Sequence, residues 1–267
     1  MDRPAWAPAE LDLDRPNAAR MYDYYLGGSH NFAVDRELAA KALEAWPDVP
    51  RAAQANRAFL RRAVRFLAGQ GVRQFLDIGS GIPTVGNVHE VAQDAAPGAR
   101  VVYVDTDPVA VTHSRAILAD DPLTAVVESD GRDPATLLAD PAVTGLLDLG
   151  RPVGLLMVAM LHFVPDAQDP RSVVAGYAGR LAPGSWLVVS HASTDTAPGA
   201  AIMEKLYEQT ASPVRMRSRA EVGALLADID LVEPGVEFLP AWRPDHPDDV
   251  GGDATWASGY GAVGRLR

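Results

Sequence analysis

The chain has no cysteine, which excludes disulfides, thiolate metal sites and cysteine nucleophiles. Lysine is scarce: Lys41 and Lys205 stand against 22 arginines. Positive charge is short overall, with 24 basic and 35 acidic residues and a net charge of −11. Duplex nucleic acid demands a clustered basic face, and the global field here opposes an extended polyanion, so no nucleic-acid partner is expected. A local patch at Arg215-Met216-Arg217-Ser218-Arg219 stays open. No apolar run reaches the roughly 18 residues needed to span a bilayer, so no membrane partner is expected either. The opening Met1-Asp2-Arg3-Pro4-Ala5-Trp6 has no basic region followed by an apolar core, and the expected location is cytoplasmic. Internal repeats and low-complexity tracts are absent.

What the chain does contain is centred on Phe75-Leu76-Asp77-Ile78-Gly79-Ser80-Gly81-Ile82-Pro83. Val72 to Ile78 reads as a buried strand, and Gly79 and Gly81 permit a sharp turn or close approach of a ligand to backbone. A helix is expected from about Thr84 to Ala95, its N-terminal N–H groups aimed above the turn. The nicotinamide-cofactor fingerprint would have a third glycine where Thr84 stands. Asp77, two residues before Gly79, is a poor neighbour for a pyrophosphate and a good one for an ammonium group. Arg100 to Asp105 is a second strand whose terminal acid, 24 residues after Gly81, suits both hydroxyls of a ribose. A ribose joined to an amino-acid end describes S-adenosylmethionine (SAM), and Asp77 is the residue that favours it over NAD(P).

Taken in order, residues 1–13 read as a loose arm. Asp14-Arg15-Pro16 is expected to cap a helix that ends at Gly27-Gly28. Val34 to Ala45 is a second helix, and after interruptions at Pro47 and Pro50 a third runs from Arg51 to Ala68. Strands then alternate with helices: 72–78, 100–105, 124–128, 153–159 and 185–191. Asp107-Pro108, Asp133-Pro134 and Asp169-Pro170 open the intervening helices. Val153 to Ala159 is the most apolar strand and so is expected at the centre. Helices are expected over 198–210 and after the capping box Ser218-Arg219-Ala220-Glu221. Val236 to Leu239 and Trp256 to Val263 are expected to close the sheet. The alternation predicts a doubly wound α/β fold with ligands at the strand ends on one rim. The sheet is expected to have seven strands, mainly parallel, with an antiparallel C-terminal hairpin. Residues 1–70 are read as a helical cover and 71–267 as the SAM-binding domain.

The stretch Pro16-Asn17-Ala18-Ala19-Arg20-Met21-Tyr22-Asp23-Tyr24-Tyr25-Leu26-Gly27-Gly28, with Asn31-Phe32 and Asp35-Arg36, resembles the N-terminal signature of an actinobacterial SAM-dependent methyltransferase family. That family was formerly a domain of unknown function. The resemblance runs on through Asp77 to Pro83, Tyr103-Val104-Asp105-Thr106-Asp107-Pro108 and Leu161-His162-Phe163-Val164-Pro165-Asp166, and covers nearly the whole chain. It implies the class I, Rossmann-like methyltransferase fold and a SAM site, with S-adenosylhomocysteine (SAH) as product. It supplies no acceptor.

On this reading Asp77, Gly79, Ser80 and Gly81 hold the methionine end, Asp77 through water or adjoining backbone. Asp105 takes the ribose hydroxyls and Thr106 lines the adenine, with Asp107 as a helix cap. Asp130, Gly131 and Arg132 serve the adenine edge. His162, after the fourth strand, is a candidate general base or substrate orienter, and His191, after the fifth, a weaker candidate for the same role. Tyr22 and Tyr25 offer ring faces to a sulfonium, and Gly27-Gly28 a hinge for a lid. Asn31 is expected to touch SAM or the acceptor, and Arg20 to be an acid clamp or a surface ion pair. The acceptor is expected to be a small molecule in a closed pocket, methylated on oxygen or nitrogen. No metal is expected, and a homodimer stays open. A SAM-binding sensor without catalysis and an NAD(P)-dependent oxidoreductase are the alternatives.

Overall fold

The computed structural model describes residues 14–83, 86–197 and 199–267; the arm expected at 1–13 lies outside them. Three helices come first: α1 (Ala18–Tyr25), α2 (Ala33–Ala45) and α3 (Val49–Gly69). Asn17 caps α1, not Asp14, because its extended backbone lets its side-chain oxygen accept the Ala19 N–H at 2.7 Å. Pro50 does not interrupt a helix. It sits in the first turn of α3, where a missing N–H costs nothing.

The sheet follows, with helices between its strands: β1 (Gln74–Ile78), α4 (Val88–Ala95), β2 (Arg100–Asp105), α5 (Pro108–Ile117) and β3 (Thr124–Glu128). Then come α6 (Pro134–Leu138), α7 (Pro141–Leu146), β4 (Gly154–Val158), α8 (Pro170–Ala178) and β5 (Trp186–Ala192). The chain closes through α9 (Ala200–Tyr207), α10 (Arg219–Leu225), β6 (Ile229–Leu231), β7 (Glu237–Phe238) and β8 (Gly259–Leu266). The strand order is β3-β2-β1-β4-β5-β8-β6, with β7 on β8. β1 to β5 are mutually parallel and β8 is antiparallel to its three partners. β4 is central, as its apolar sequence predicts.

Four expectations are corrected. The sheet has eight strands, because β6 is a three-residue strand with no periodicity to announce it. The segment expected at 236–239 pairs over only two residues before a 3-10 turn at Leu239–Ala241. Trp256 lies in another such turn, ended by Ser258 at φ +42°, so β8 starts only at Gly259. β7 and β8 do pair antiparallel across the long loop between them, as expected. α4 begins at Val88, capped by Asn87 and Glu90, well past the glycine turn; residues 84 and 85 lie outside the described set.

Side chains alternate between two cores along β1, β2, β4 and β5, as the pleat requires. Leu76, Ile78, Val102, Val104, Leu155 and Met157 join the core under α6, α7, α8 and α10. Phe75, Val101, Tyr103, Leu156, Val158 and Val188 join the other, with Phe59, Leu60, Val64 and Leu67 of α3. α3 is thus part of the sheet's helical layer, and the core does not divide at residue 70. A third core joins α1, α2 and the start of α3 to Met203 and Tyr207 of α9 and to Met216. The period of two also fixes where Asp77 and Ser190 face. They fall in step with Phe75 and Val188, towards α3.

Phe59 is fully buried, packs edge-on to Trp242 at 5.3 Å between centroids, and fills the space a Cβ on Gly261 would enter. Phe59→Ala is expected to lower unfolding free energy by about 3–5 kcal/mol, measured by denaturant titration. A loss under about 1 kcal/mol would mean that this core can collapse into the gap.

Candidate functional site

The ends of β1 to β5 open into a cavity of about 840 Å³, at the upper end of the roughly 300–1,000 Å³ usual for small-molecule sites. The chain order reverses between β1 and β4, the switch point where such folds bind ligands. Asp77 to Gly81, Asp105 to Pro108, Ser129 to Arg132 and Ala159-Met160 form the sheet side. Side chains of α1, α3 and α9 roof it over.

At the glycine turn, Gly79 and Gly81 have φ of +70° and +67°. A Cβ on Gly79 would press on Met160 at 3.2 Å. The turn's N–H groups are used internally: Gly79 and Ser80 donate to the Val104 carbonyl at 2.8 and 3.0 Å, and Gly81 donates to Asp105 at 2.7 Å. The turn therefore meets the cavity with a surface free of Cβ atoms, where the sequence suggested a row of donors. Asp105 is fixed at both oxygens, its second accepting the Asp107 N–H at 2.8 Å. Burial raises its pKa, and backbone donation from Asp107, Gly81 and Thr106 opposes the rise. Each oxygen keeps a lone pair for a hydroxyl. Asp107 caps α5 through the Val109 N–H.

Asp77 is 4% exposed and its pKa is pushed up to about 7, mainly by burial. The Arg57 guanidinium opposes the rise and the Asp105 carboxylate adds to it. Such a group invites a cation. Asp130, Gly131 and Arg132 also line the cavity, but Arg132 grips both Asp130 oxygens, down to 2.6 Å. The pair lowers the Asp130 pKa. Asp130 arrives as half of an ion pair. Gly131 passes so close to Ile78 that a Cβ there would collide with its Cγ2.

The two histidines lie 5.5 Å apart between ring centroids, and both line the cavity. His191 Nδ1 is 2.8 Å from the Ala192 carbonyl, so that nitrogen carries the proton. Its Nε2 accepts from Arg217 at 2.9 Å, and burial lowers its pKa to about 4. Both nitrogens are taken, which removes His191 as a base. His162 Nδ1 accepts the Ala192 N–H at 3.3 Å, leaving the proton on Nε2. Burial above all, then His191 and Arg217, holds its pKa well below the usual value. It is a neutral donor.

Two other expectations change. Asn31 is not among the lining residues; its amide donates to Asp23 at 2.8 Å and to the Gly28 carbonyl at 3.0 Å, bracing the signature turn. A Cβ on Gly28 would overlap the Asp23 carboxylate. Arg20 is 3% exposed, not on the surface, and lies 3.5 Å from both Asp35 and Asp107. Its charge ties α1 to α2 and α5 and is not left for an acidic substrate. The arginine patch is likewise committed. Arg215 meets Asp166, Glu204 and Glu221, Arg217 meets Asp166, and Arg219 meets Glu237.

Sequence reading missed a hydrogen-bonded chain across the cavity wall. Tyr22 donates to the Ala53 carbonyl and accepts from Asn56, both at 3.0 Å. Asn56 accepts from Ser190 at 2.6 Å, and Ser190 accepts the N–H of Ala159 at 2.8 Å. Ala159 holds φ +58°, strain of the kind stored at functional sites. A signal existed: Asn56 interrupts the apolar stripe of α3, and Ser190 interrupts a run of aliphatic residues. Arg57, also missed, lines the cavity next to Asp77. Among the described residues no cluster of His, Asp or Glu can hold a metal ion.

A glycine-lined turn between two strand-end acids, one half-buried and set for a diol, the other buried and short of a cation, fits an adenosyl amino acid. The comparisons agree. A family model described as S-adenosyl methyltransferase matches residues 4–267. A protein of Thermobifida fusca, provisionally named a methyltransferase, superposes with a TM-score of 0.92 at 42% identity, covering 99% of this chain and 100% of its own. A DUF574 family protein of Streptomyces avermitilis gives 0.91 at 40% identity, covering 96% and 99%. No curated protein matches the sequence. With its full-length family match and this fold, the chain belongs to the S-adenosyl methyltransferase family and is a SAM-dependent methyltransferase.

Proposed function

We propose that the acceptor is a small, largely apolar molecule, methylated on nitrogen or oxygen beneath the helical cover. One observation carries this: the cover side of the 840 Å³ cavity is lined by Tyr22, Tyr25, Trp46, Phe163, Tyr207 and Met203. Apolar walls with a few placed polar groups are the usual design for small ligands. The committed arginines and the net charge of −11 support a reading without nucleic acid. No helix among the described residues is long and apolar enough to cross a membrane, and we place the activity in the cytoplasm.

SAM supplies a methyl group already activated on a sulfonium, so the protein's task is alignment and exclusion of water. Asp77, Gly79, Ser80 and Gly81 would receive the methionine end. A recess of about 10 Å³ beside Asp77, lined also by Ser80 and Gly81, has room for one water. It supports contact through solvent. Asp105 would accept the ribose hydroxyls, and Thr106 with the Asp130 to Arg132 loop would flank the adenine. Tyr22 and Tyr25 would offer ring faces to the sulfonium, which attracts a cation without binding its charge as a carboxylate would. Residues 14 to 48, ahead of α3, would act as the cover over this site.

His162 would orient the acceptor through its Nε2–H. Neither imidazole has a free lone pair for a proton. The site therefore suits a nucleophile that is already unprotonated, a neutral amine or an ionised hydroxyl whose proton has gone to water. The rate with any acceptor found should follow that acceptor's own pKa.

Calorimetric titration with SAM and SAH is the primary test. Micromolar binding is expected, reduced at least about 100-fold in Asp105→Ala, which removes two charge-assisted hydrogen bonds. Unchanged affinity in the variant would sink the ribose assignment.

The pH dependence follows from Asp77. Below about pH 7 its carboxyl is protonated in the free protein, while an ammonium ligand needs the carboxylate. SAH affinity should fall by about tenfold per pH unit below 7, with proton release on binding near neutrality. Asp77→Asn should bind weakly and flatten the profile between pH 5 and 7. A wild-type profile equally flat would contradict the pairing.

A further inference from the structure

Helix α3 carries arginines at four-residue spacing, Arg57, Arg61 and Arg65, and like charges so placed repel. Arg65 is relieved at the outer end by Asp245, whose oxygens lie at 2.7 and 2.9 Å. Arg61 is relieved only in part: burial first, then Arg57 and Arg65, lower its pKa against a smaller opposing effect of Asp245. Arg57 stands at the inner end. One terminal nitrogen donates to the Gly86 carbonyl at 3.2 Å, while its Nε is buried and makes no hydrogen bond. The residue lines both the main cavity and the small recess that it shares with Asp77, Ser80 and Gly81. Among the described residues it forms no ion pair, although its field reaches Asp77.

A buried acid without a cation and a half-buried guanidinium without an anion thus face one cavity without being joined. An amino-acid head group answers both, since its ammonium and carboxylate leave the same carbon. A guanidinium is also the best match for a carboxylate, which it grips with two parallel N–H bonds. With Nε buried and one terminal nitrogen on the Gly86 carbonyl, the other terminal nitrogen is the donor left for a ligand. We propose that Arg57 binds the α-carboxylate of the methionyl end of SAM, opposite Asp77. The assignment rests on the cofactor placement proposed above. It makes α3 a reader of the zwitterion, so that adenosyl compounds lacking the carboxylate are rejected. The same helix holds Asn56, one residue away, in the chain that ends at strained Ala159. Cofactor capture and the acceptor wall then depend on one rigid element.

The test is titration of the full chain with SAH and with 5′-deoxy-5′-(3-aminopropylthio)adenosine, which is SAH without its carboxylate. Wild-type protein should prefer SAH by at least about tenfold, and Arg57→Met should weaken SAH by about 10- to 100-fold while leaving the analogue within about threefold. Arg57→Lys should recover part of the loss. Thermal melting without ligand reports whether the variants fold, and the wild-type preference tests the idea even if they do not. Equal losses for both ligands in Arg57→Met would mean a structural or purely field-based role and would overturn the proposal. So would equal wild-type affinity for the two. If wild-type protein bound neither ligand, the cofactor placement itself would fall; SAH binding with an indifferent variant would reject Arg57 alone.

Discussion

Burying a carboxyl group at the tip of β1 is the constraint on which the site depends. Asp77 lies under α3, removed from water, and its pKa rises to about 7 because the charged form has lost its hydration. A core free to choose would put an apolar side chain there, as it does at Phe75 two residues earlier. The neighbouring groups answer the acid only in part. Arg57 acts across a gap, Asp105 works against it, and the adjoining glycine turn spends its N–H groups on Val104 and Asp105. What is left is a pocket whose electrostatics are completed from outside, which is how a preorganised site gains from ligand binding what it loses in folded stability.

The second acid shows the opposite strategy. Asp105 is also raised by burial, yet a backbone donor at each oxygen holds it in place. The tie from Gly81 to Asp105 locks the turn after β1 to the end of β2, so the two halves of a cofactor site keep their spacing without help from side-chain packing. Further along the rim, Arg217 does comparable work. Only 2% exposed, it donates to the carbonyls of Leu161 and Val164, to His191 and to Asp166. That clip holds the loop bearing His162 against the end of β5. It explains why the basic run at 215–219 does not form an open cationic surface.

Much of the scaffold was legible in the residues. Strands β1 to β5 fall within two residues of the apolar runs that announce them, because a strand buried on both faces needs such a run. Asp107, Asp133, Asp169 and Ser218 cap the helices they precede in sequence, since capping is a local hydrogen bond. The strands that were mistaken are those whose existence depends on a partner. β6 is three residues and β7 two, and both exist because β8 offers them an edge. Within the site, a polar residue near a signature suggests function, which points Asn31 to ligand and leaves Arg20 between a ligand clamp and a surface ion pair. Packing instead set them to bracing a turn and joining helices.

By itself, the sequence determined the class of fold, the glycine turn and the two strand-end acids, because each is a local pattern of periodicity, turn chemistry or spacing. Only the tertiary structure decided which way those acids face, what surrounds them and which polar groups remain unmet. Arg57 lies 20 residues from Asp77, and Ser190 lies 134 from Asn56. No local rule joins such pairs. The tautomers of His162 and His191 follow from Ala192 and Arg217, contacts made only once β5 has paired and the chain has returned from α9. Burial, charge and hydrogen bonding act through space, so the chemistry of the site waits for the fold to bring its members together.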